Sequence, residues 1–120
     1  MAGTIRVVGR FDRKAHAGVV RKMITRGSSP VGNPHEMKSE ADRDQACALF
    51  AYHVKTNWLV DGKWGDALPW LQDRVLEYRQ GKDIELCCRC RTQADDRLCH
   101  GDTLKRLIIY LSSIINDFLI

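Results

Sequence analysis

Hydrophobic side chains recur along the chain with two periods, which predict short strands and amphipathic helices. Runs of β-branched and other apolar residues at Ile5–Val8, Val19–Ile24 and Ile84–Cys88 predict strands. Three further stretches place apolar residues at spacings of three and four, as in a helix with one buried face. These stretches predict helices from about Glu40 to Trp58, from Asp66 or Ala67 to just before Gly81, and from Asp102 to Asn116.

The same spacing identifies the buried face of each predicted helix. Capping residues mark the ends: Ser39 with Asp42 resembles a capping box, Asp102 is the expected N-cap of the last helix, and Gly81 supplies a C-cap. The three apolar stripes, in chain order, are Cys47, Phe50, Val54 and Trp58; then Leu68, Leu71, Val75 and Tyr78; then Leu104, Leu107, Ile108, Leu111, Ile115 and Phe118.

The order strand, strand, helix, helix, strand, helix predicts a fold class. Strands that alternate with helices favour a small α/β domain with a largely parallel sheet. We expect three or four short strands and about three helices in a single domain over residues 1–120, because 120 residues suffice for one modest core. The polar stretches at 9–18, 26–34 and 91–98 are expected to be loops.

Composition and the number of cysteines indicate the cellular compartment. Apolar residues make up 44% and charged residues 28%, as in soluble globular proteins. No apolar run reaches the roughly 20 residues that span a membrane, and the N-terminus lacks a signal-peptide core. The cysteine number is five, which is odd, and four of the five cluster near the C-terminus. A reducing, cytoplasmic location with free thiols or a metal is therefore expected rather than a disulfide framework.

Charge is uneven along the chain. The net charge is +4, yet residues 1–30 alone carry seven basic side chains and one acidic side chain. A basic third suits a phosphate-bearing partner, which can be a small molecule, a nucleotide or nucleic acid. A solvated surface explains the same charges, and the whole chain is less basic than a dedicated DNA-binding domain.

Four candidate ligands, Cys88, Cys90, Cys99 and His100, lie within thirteen residues, at a predicted strand end and a predicted helix start. Three thiolates and one imidazole suit tetrahedral zinc, although the Cys-x-Cys spacing is unusual and adjacent Cys99 and His100 are expected to diverge. A second interpretation makes Cys99 a thiolate nucleophile beside His100, favoured by the helix N-terminus. A third interpretation places Cys88 and Cys90 in the core as small apolar residues.

A glycine-rich turn supplies a second candidate site. Gly27 and Gly32 flank a bend in which backbone N–H groups can cradle an anion, and Arg26 can add a bidentate contact to phosphate or carboxylate. Neither the Walker A motif nor the dinucleotide fingerprint is present. Arg43 lies in the first turn of a predicted helix, where a bound anion would offset its unfavourable interaction with the helix dipole.

Together these motifs resemble the bacterial and phage family known as domain of unknown function DUF 4326, over about residues 5–109. Two departures, Arg89 and His35, stand where the family usually has aromatic residues. The resemblance implies a small α/β fold, a phage-encoded protein and no established activity. It also implies a set of site residues: Arg26, Gly27, Ser28, Gly32, Asn33, Pro34, Arg43, Cys88, Cys90, Cys99, His100, Gly101 and Asp102.

Three functional hypotheses follow. The first is a domain, or small enzyme, that acts on a nucleotide or nucleoside-type ligand. It assigns phosphate binding to Arg26, Gly27, Ser28, Gly32, Asn33 and Arg43, and catalysis to Cys99, His100 and Asp102. The second is a non-enzymatic phage protein that binds a host protein or nucleic acid through its basic N-terminal third. The third is a small zinc-binding module. None of the three requires a membrane.

Overall fold

The computed structural model describes residues 2–9, 18–25, 29–34, 40–88 and 99–114. Its strands and α-helices follow one another as β1 (Ile5–Gly9), β2 (Val19–Met23), α1 (Arg43–His53), α2 (Ala67–Arg79), β3 (Asp83–Cys88) and α3 (His100–Ser113). This order confirms the predicted small α/β class. Over the described ranges, no helix is both long enough and apolar enough to cross a bilayer.

The sheet has three strands in the order β1-β3-β2, and both pairings are parallel. Leu86 in the central strand stands beside Val7 on one side and Lys22 on the other. A parallel pairing requires a crossover connection, and α1 and α2 lie between β2 and β3 in the chain. Because the strands run the same way, Gly9, Met23 and Cys88 bring all three carboxyl ends to one edge.

The core lies between the helices and the sheet. α3 contacts α1, α2, β1 and β3, so it is the helix that joins the other elements. The predicted stripes are largely confirmed: Cys47, Leu68 and Tyr78 are half-buried, and Ile115 and Phe118 lie outside the described residues. Each fully buried side chain of this size contributes about 1.5–3 kcal/mol. The buried members of the stripes are Phe50, Val54, Trp58, Leu71, Val75, Leu104, Leu107, Ile108 and Leu111.

The helix predicted from Glu40 to Trp58 exists but changes pitch twice. A 3₁₀ turn at Glu40–Asp42 precedes α1, and a π-helix at Val54–Val60 continues it. Ser39 lies outside the described residues, and Asp42 occupies the N-cap of α1 without a side-chain capping bond. In the π-helical segment Trp58 packs edge-on against Phe50 and stacks on Trp64. Apolar spacing cannot distinguish this wider turn from an α-helix.

α2 ends at a glycine cap, Gly81, as the sequence predicts. Gly81 has a φ of +87°, a left-handed conformation that favours glycine. Its N–H donates to the carbonyl of Tyr78 at 3.1 Å, and the Lys82 N–H donates to the carbonyl of Glu77 at 3.0 Å. These two bonds form a Schellman motif, which satisfies the last carbonyls of α2 and directs the chain into β3.

The observed first residue of α3 differs from the predicted one. The expected N-cap was Asp102, but the helix begins at His100 and Cys99 is its N-cap. Asp102 instead completes a capping box, in which its Oδ2 accepts the Cys99 N–H at 3.0 Å. Cysteine is not a usual N-cap residue, which explains the misplaced start. The helix ends at Ser113 rather than Asn116, and residue 116 lies outside the described ranges.

The sheet face away from Val7 and Leu86 carries a charge cluster centred on the buried Glu85. Glu85 in β3 accepts from Arg6 of β1 at 2.8 Å, and from Nε and Nη2 of Arg21 in β2 at 3.0 and 2.7 Å. The three residues share one row of the sheet register. One carboxylate therefore links both outer strands to the central strand.

Candidate metal centre

Two thiols and an imidazole converge where β3 ends and α3 begins. Cys88 is the last residue of β3, Cys99 is the N-cap of α3, and His100 is its first residue. Their ligand atoms, the two Sγ atoms and one imidazole nitrogen, all lie within 4.8 Å of one another, and all three residues are buried. The His100 Nδ1 lies 3.5 Å from the Cys88 Sγ and 3.8 Å from the Cys99 Sγ.

These separations suit a tetrahedral metal. Zinc binds thiolate sulfur at about 2.3 Å and imidazole nitrogen at about 2.0–2.1 Å, so a tetrahedral site separates sulfur from nitrogen by about 3.6 Å. The two measured sulfur–nitrogen distances, 3.5 and 3.8 Å, lie close to that value. Both sulfur–nitrogen separations therefore match those of ligands that share one ion.

A backbone carbonyl directly after β2 fixes the orientation of the His100 ring. Its Nε2 lies 2.8 Å from the carbonyl oxygen of Ile24, which can only accept, so Nε2 carries the proton. In the neutral ring this leaves the lone pair on Nδ1, the nitrogen beside the two thiols. A ligating histidine commonly donates its other N–H to a backbone carbonyl, which sets the tautomer and ring orientation.

The first turn of α3 supplies a hydrogen bond to the Cys99 sulfur. The Gly101 N–H donates to the Cys99 Sγ at 3.4 Å. Partial positive charge at a helix N-terminus stabilises nearby anions, so the capping contact strengthens when the sulfur is ionised. Thiolate is the form that binds metal, and it is also the form that attacks electrophiles.

Packing around the ring holds the cluster in place. Phe50 of α1 contacts the His100 ring edge-on, with 5.2 Å between ring centroids. Gly101 lets the first turn of α3 approach the sheet, because a Cβ there would lie 2.7 Å from Val7 Cγ1 and 2.9 Å from Ile24 Cδ1. The glycine in the Cys-His-Gly-Asp motif is thus explained by close packing against β1 and the end of β2.

The expectation that adjacent Cys99 and His100 diverge is wrong. Cys99 has extended backbone angles, φ −143° and ψ 151°, whereas His100 is already helical. The change of conformation between them turns both side chains toward Cys88. The remaining member of the predicted set, Cys90, lies outside the described residues.

The other cysteines lie apart from this cluster. Cys47 is half-buried in α1. Cys87 is buried in β3, but side chains alternate along a strand, so it faces away from Cys88. The structure shows no disulfide at any of the four described cysteines.

The predicted phosphate-binding residues are described only in part. Arg26, Gly27 and Ser28 lie outside the described residues, whereas Gly32, Asn33 and Pro34 follow the turn. The Asn33 Nδ2 donates to the Ala46 carbonyl of α1 at 3.0 Å, which holds this segment against the helix. Arg43 is buried as the first residue of α1. The catalytic roles assigned to Cys99, His100 and Asp102 stay predictions.

The sequence patterns did not identify two residues of this region. Ile24 acts through its backbone carbonyl, which no side-chain pattern reveals. Thr25, the next residue, is buried, and its hydroxyl has no hydrogen-bond partner within the part of the chain that the structure describes. Its only signal in the sequence is its position directly before Arg26 and Gly27.

A parallel three-stranded sheet covered by helices, with thiol and imidazole donors at its carboxyl edge, defines a small α/β domain with a candidate metal centre. The chain belongs to the family described as domain of unknown function (DUF4326), whose model matches residues 8–109. The resemblance drawn from the motifs is therefore confirmed. Comparison with curated proteins and with solved structures gives no match.

Proposed function

We propose that the protein is a small metal-binding module in which Cys88, Cys99 and His100 hold one zinc ion or a similar thiophilic metal. The supporting observation is that three buried ligand atoms lie within 4.8 Å of one another. Two thiolates and an imidazole are a donor set that zinc favours. Cys90, two residues beyond Cys88 in the sequence, is the proposed fourth ligand.

Burial favours a structural role for this metal over a catalytic one. Cys88, Cys99 and His100 are each less than one tenth exposed. Structural zinc sites are closed by four protein ligands, whereas catalytic sites keep one position open to water or substrate. The bound ion would join the end of β3 to the start of α3, and through the His100 hydrogen bond to the end of β2.

Elemental analysis of protein purified without chelator tests the proposal, with one metal ion per chain as the expected result. Cys88→Ser should lose the ion, because serine is a poor zinc ligand. Cys87→Ser is the matched control, since this neighbour is equally buried in the same strand but faces the opposite side. Fully folded wild-type protein without metal would overturn the proposal.

Cys99 allows the metal and capping roles to be separated. Cys99→Ser keeps a side-chain N-cap, because a hydroxyl oxygen, which helices prefer there, replaces the sulfur, but it removes the thiolate. Cys99→Ala removes both the cap and the ligand. Both variants should lose the metal, and circular dichroism should show more loss of helix in Cys99→Ala. Full metal content in Cys99→Ser would exclude this sulfur as a ligand.

Binding of a nucleotide or nucleoside-type ligand is a second candidate function. It is supported by the carboxyl ends of three parallel strands meeting where α3 begins, the usual ligand position in open α/β sheets. Arg26 and the Gly27–Gly32 turn would hold the phosphate, with Cys99 and His100 near the reacting group. A nucleotide thermal-shift panel should stabilise the wild type, and Arg26→Ala should abolish the shift while retaining metal. No shift with any nucleotide would contradict this function.

The hypothesis of a phage protein that binds a host protein or nucleic acid in the bacterial cytoplasm remains a proposal. Its described support is the Arg6 side chain, which is 64% exposed even though it pairs with Glu85. Binding to a nucleic-acid fragment should weaken steeply with added salt if the basic N-terminal third forms the contact. Binding that does not change with salt would count against it.

A further inference from the structure

The side of α1 opposite the core presents small and apolar side chains to solvent. The core side of this helix is buried at Ala46 and Phe50, and it continues in the buried Val54. On the opposite side Ala48 and Tyr52 are exposed, and Tyr52 is 66% exposed. A surface helix usually carries charged and polar residues on its outer side, so this composition is typical of a helix with a partner.

Four residues form an outer stripe on this side: Asp44, Ala48, Ala51 and Lys55. Their spacings of four, three and four residues place them along one line of the helix, which ends in the π-helical continuation of α1. Asp44, Ala48 and Lys55 are exposed, and Ala51 is half-buried. Neither Asp44 nor Lys55 forms an ion pair with another residue in the ranges that the structure describes. The stripe therefore has opposite charges at its ends and alanines between them.

The outer stripe is complementary to a reversed copy of itself, because its spacings read the same from either end. Two copies of α1 can be laid antiparallel about a two-fold axis that passes between residues 49 and 50. Asp44 of each copy then faces Lys55 of the other, and Ala48 of each copy faces Ala51 of the other. Small side chains at the contact let two helices approach closely. An interface of this symmetry pairs one surface patch with the same patch of the second copy.

Tyr52 supplies the largest apolar area beside the outer stripe. It directly follows Ala51 and is exposed, so its ring can cover the small residues of the second copy. Tyrosine is enriched among the residues that contribute most to binding, whereas ion pairs at the rim of an interface mainly fix orientation and register. The aromatic ring would thus provide affinity, and Asp44 with Lys55 would select the antiparallel arrangement.

We propose that the outer stripe of α1 is a self-association surface that binds a second copy of this chain through an antiparallel helix pair. Charge complementarity favours this occupant over another protein, because each terminal charge finds its opposite on the same stripe. The contact between two single helices is small, so a weak dimer is expected. The proposal does not depend on the metal centre, whose three described ligands are buried away from this surface.

Charge reversal of the full chain tests this arrangement. Asp44→Lys and Lys55→Asp each create two like-charge contacts in the homodimer, so each variant alone should dimerise at least about tenfold more weakly than the wild type. An equimolar mixture of the two variants restores both opposite-charge contacts across a heterodimer, so it should associate about as strongly as the wild type. Sedimentation equilibrium in the presence of a reductant, at chain concentrations up to about 1 mM, provides the measurement.

Asp73→Lys is the matched control, because it reverses an exposed aspartate of α2 and should leave dimerisation unchanged. Asp44→Lys also places a cation in the first turn of α1, but that effect on the helix is the same in the separate variant and in the mixture. A wild type that stays monomeric throughout, or a mixture that associates no more than its separate components, would overturn the proposal. Dimerisation that Asp44→Lys does not weaken would overturn it as well.

Discussion

Gly101 sets how closely α3 approaches the sheet. A Cβ at this position would meet Val7 and Ile24 at 2.7 and 2.9 Å, shorter than side-chain atoms tolerate. Gly101→Ala should therefore destabilise the fold by up to about 2 kcal/mol, since an overpacking cost of about 1–3 kcal/mol exceeds the gain of about 1 kcal/mol in helix propensity. Denaturant unfolding measures the change.

The control for this substitution lies in the same helix. Thr103→Ala changes a half-buried residue of α3 that follows the capping box and should shift stability by less than the glycine substitution. Gly101→Ala should also lower metal affinity, because the first turn carrying His100 would be pushed from the Ile24 carbonyl. A more stable Gly101→Ala protein would show that the close approach is not required.

At the residue scale, residue type and position selected the members of the cluster more readily than they predicted its arrangement. Cys88, Cys99 and His100 were selected from residue type and position, and the structure brings these three together. The tautomer of His100 could not be predicted, because it depends on a backbone carbonyl 76 residues away in the chain. The unsatisfied hydroxyl of Thr25 could not be predicted either, because satisfaction of a hydrogen bond depends on tertiary neighbours.

At the scale of elements, the two ion pairs of Glu85 join the strands, and their contributions to stability can be compared. Arg21 is 28% exposed and makes two N–H bonds to Glu85, whereas Arg6 is 64% exposed and makes one bond that the structure shows. Double-mutant cycles with Glu85→Gln should give a coupling of about 1–3 kcal/mol for Arg21→Met and below about 1 kcal/mol for Arg6→Met. A larger coupling energy for Arg6 than for Arg21 would show that side-chain exposure does not decide how much each ion pair contributes to stability.

Strands and helices could be predicted from the sequence where the local spacing of apolar residues determines their type. β1, β2 and β3 and the three helices follow from apolar spacing, and Gly81 ends α2 as predicted. The strand order β1-β3-β2 did not follow, because both outer strands present apolar residues that can pair with β3. The start of α3 was misplaced since cysteine replaces the usual oxygen-bearing N-cap.

At the scale of the whole molecule, the candidate metal centre would connect elements that are far apart in sequence. Cys88 ends the central strand, Cys99 and His100 begin the helix that contacts both other α-helices, and His100 bonds to the residue after β2. A ligand that binds only the folded state adds to its stability. Metal binding should therefore raise the free energy of unfolding of the entire domain and not only order its own segment.

The size of this linkage can be measured by thermal unfolding with and without chelator. Free metal at one hundred times its Kd adds about 2.7 kcal/mol, which is about 10 °C in Tm for a chain of this size. Cys87→Ser should show the same increment and Cys88→Ser should show none. The increment should shrink as the pH falls, because protons compete for the thiolates and the imidazole. A chelator-independent Tm in a protein that binds one metal ion per chain would place that ion outside the folded core.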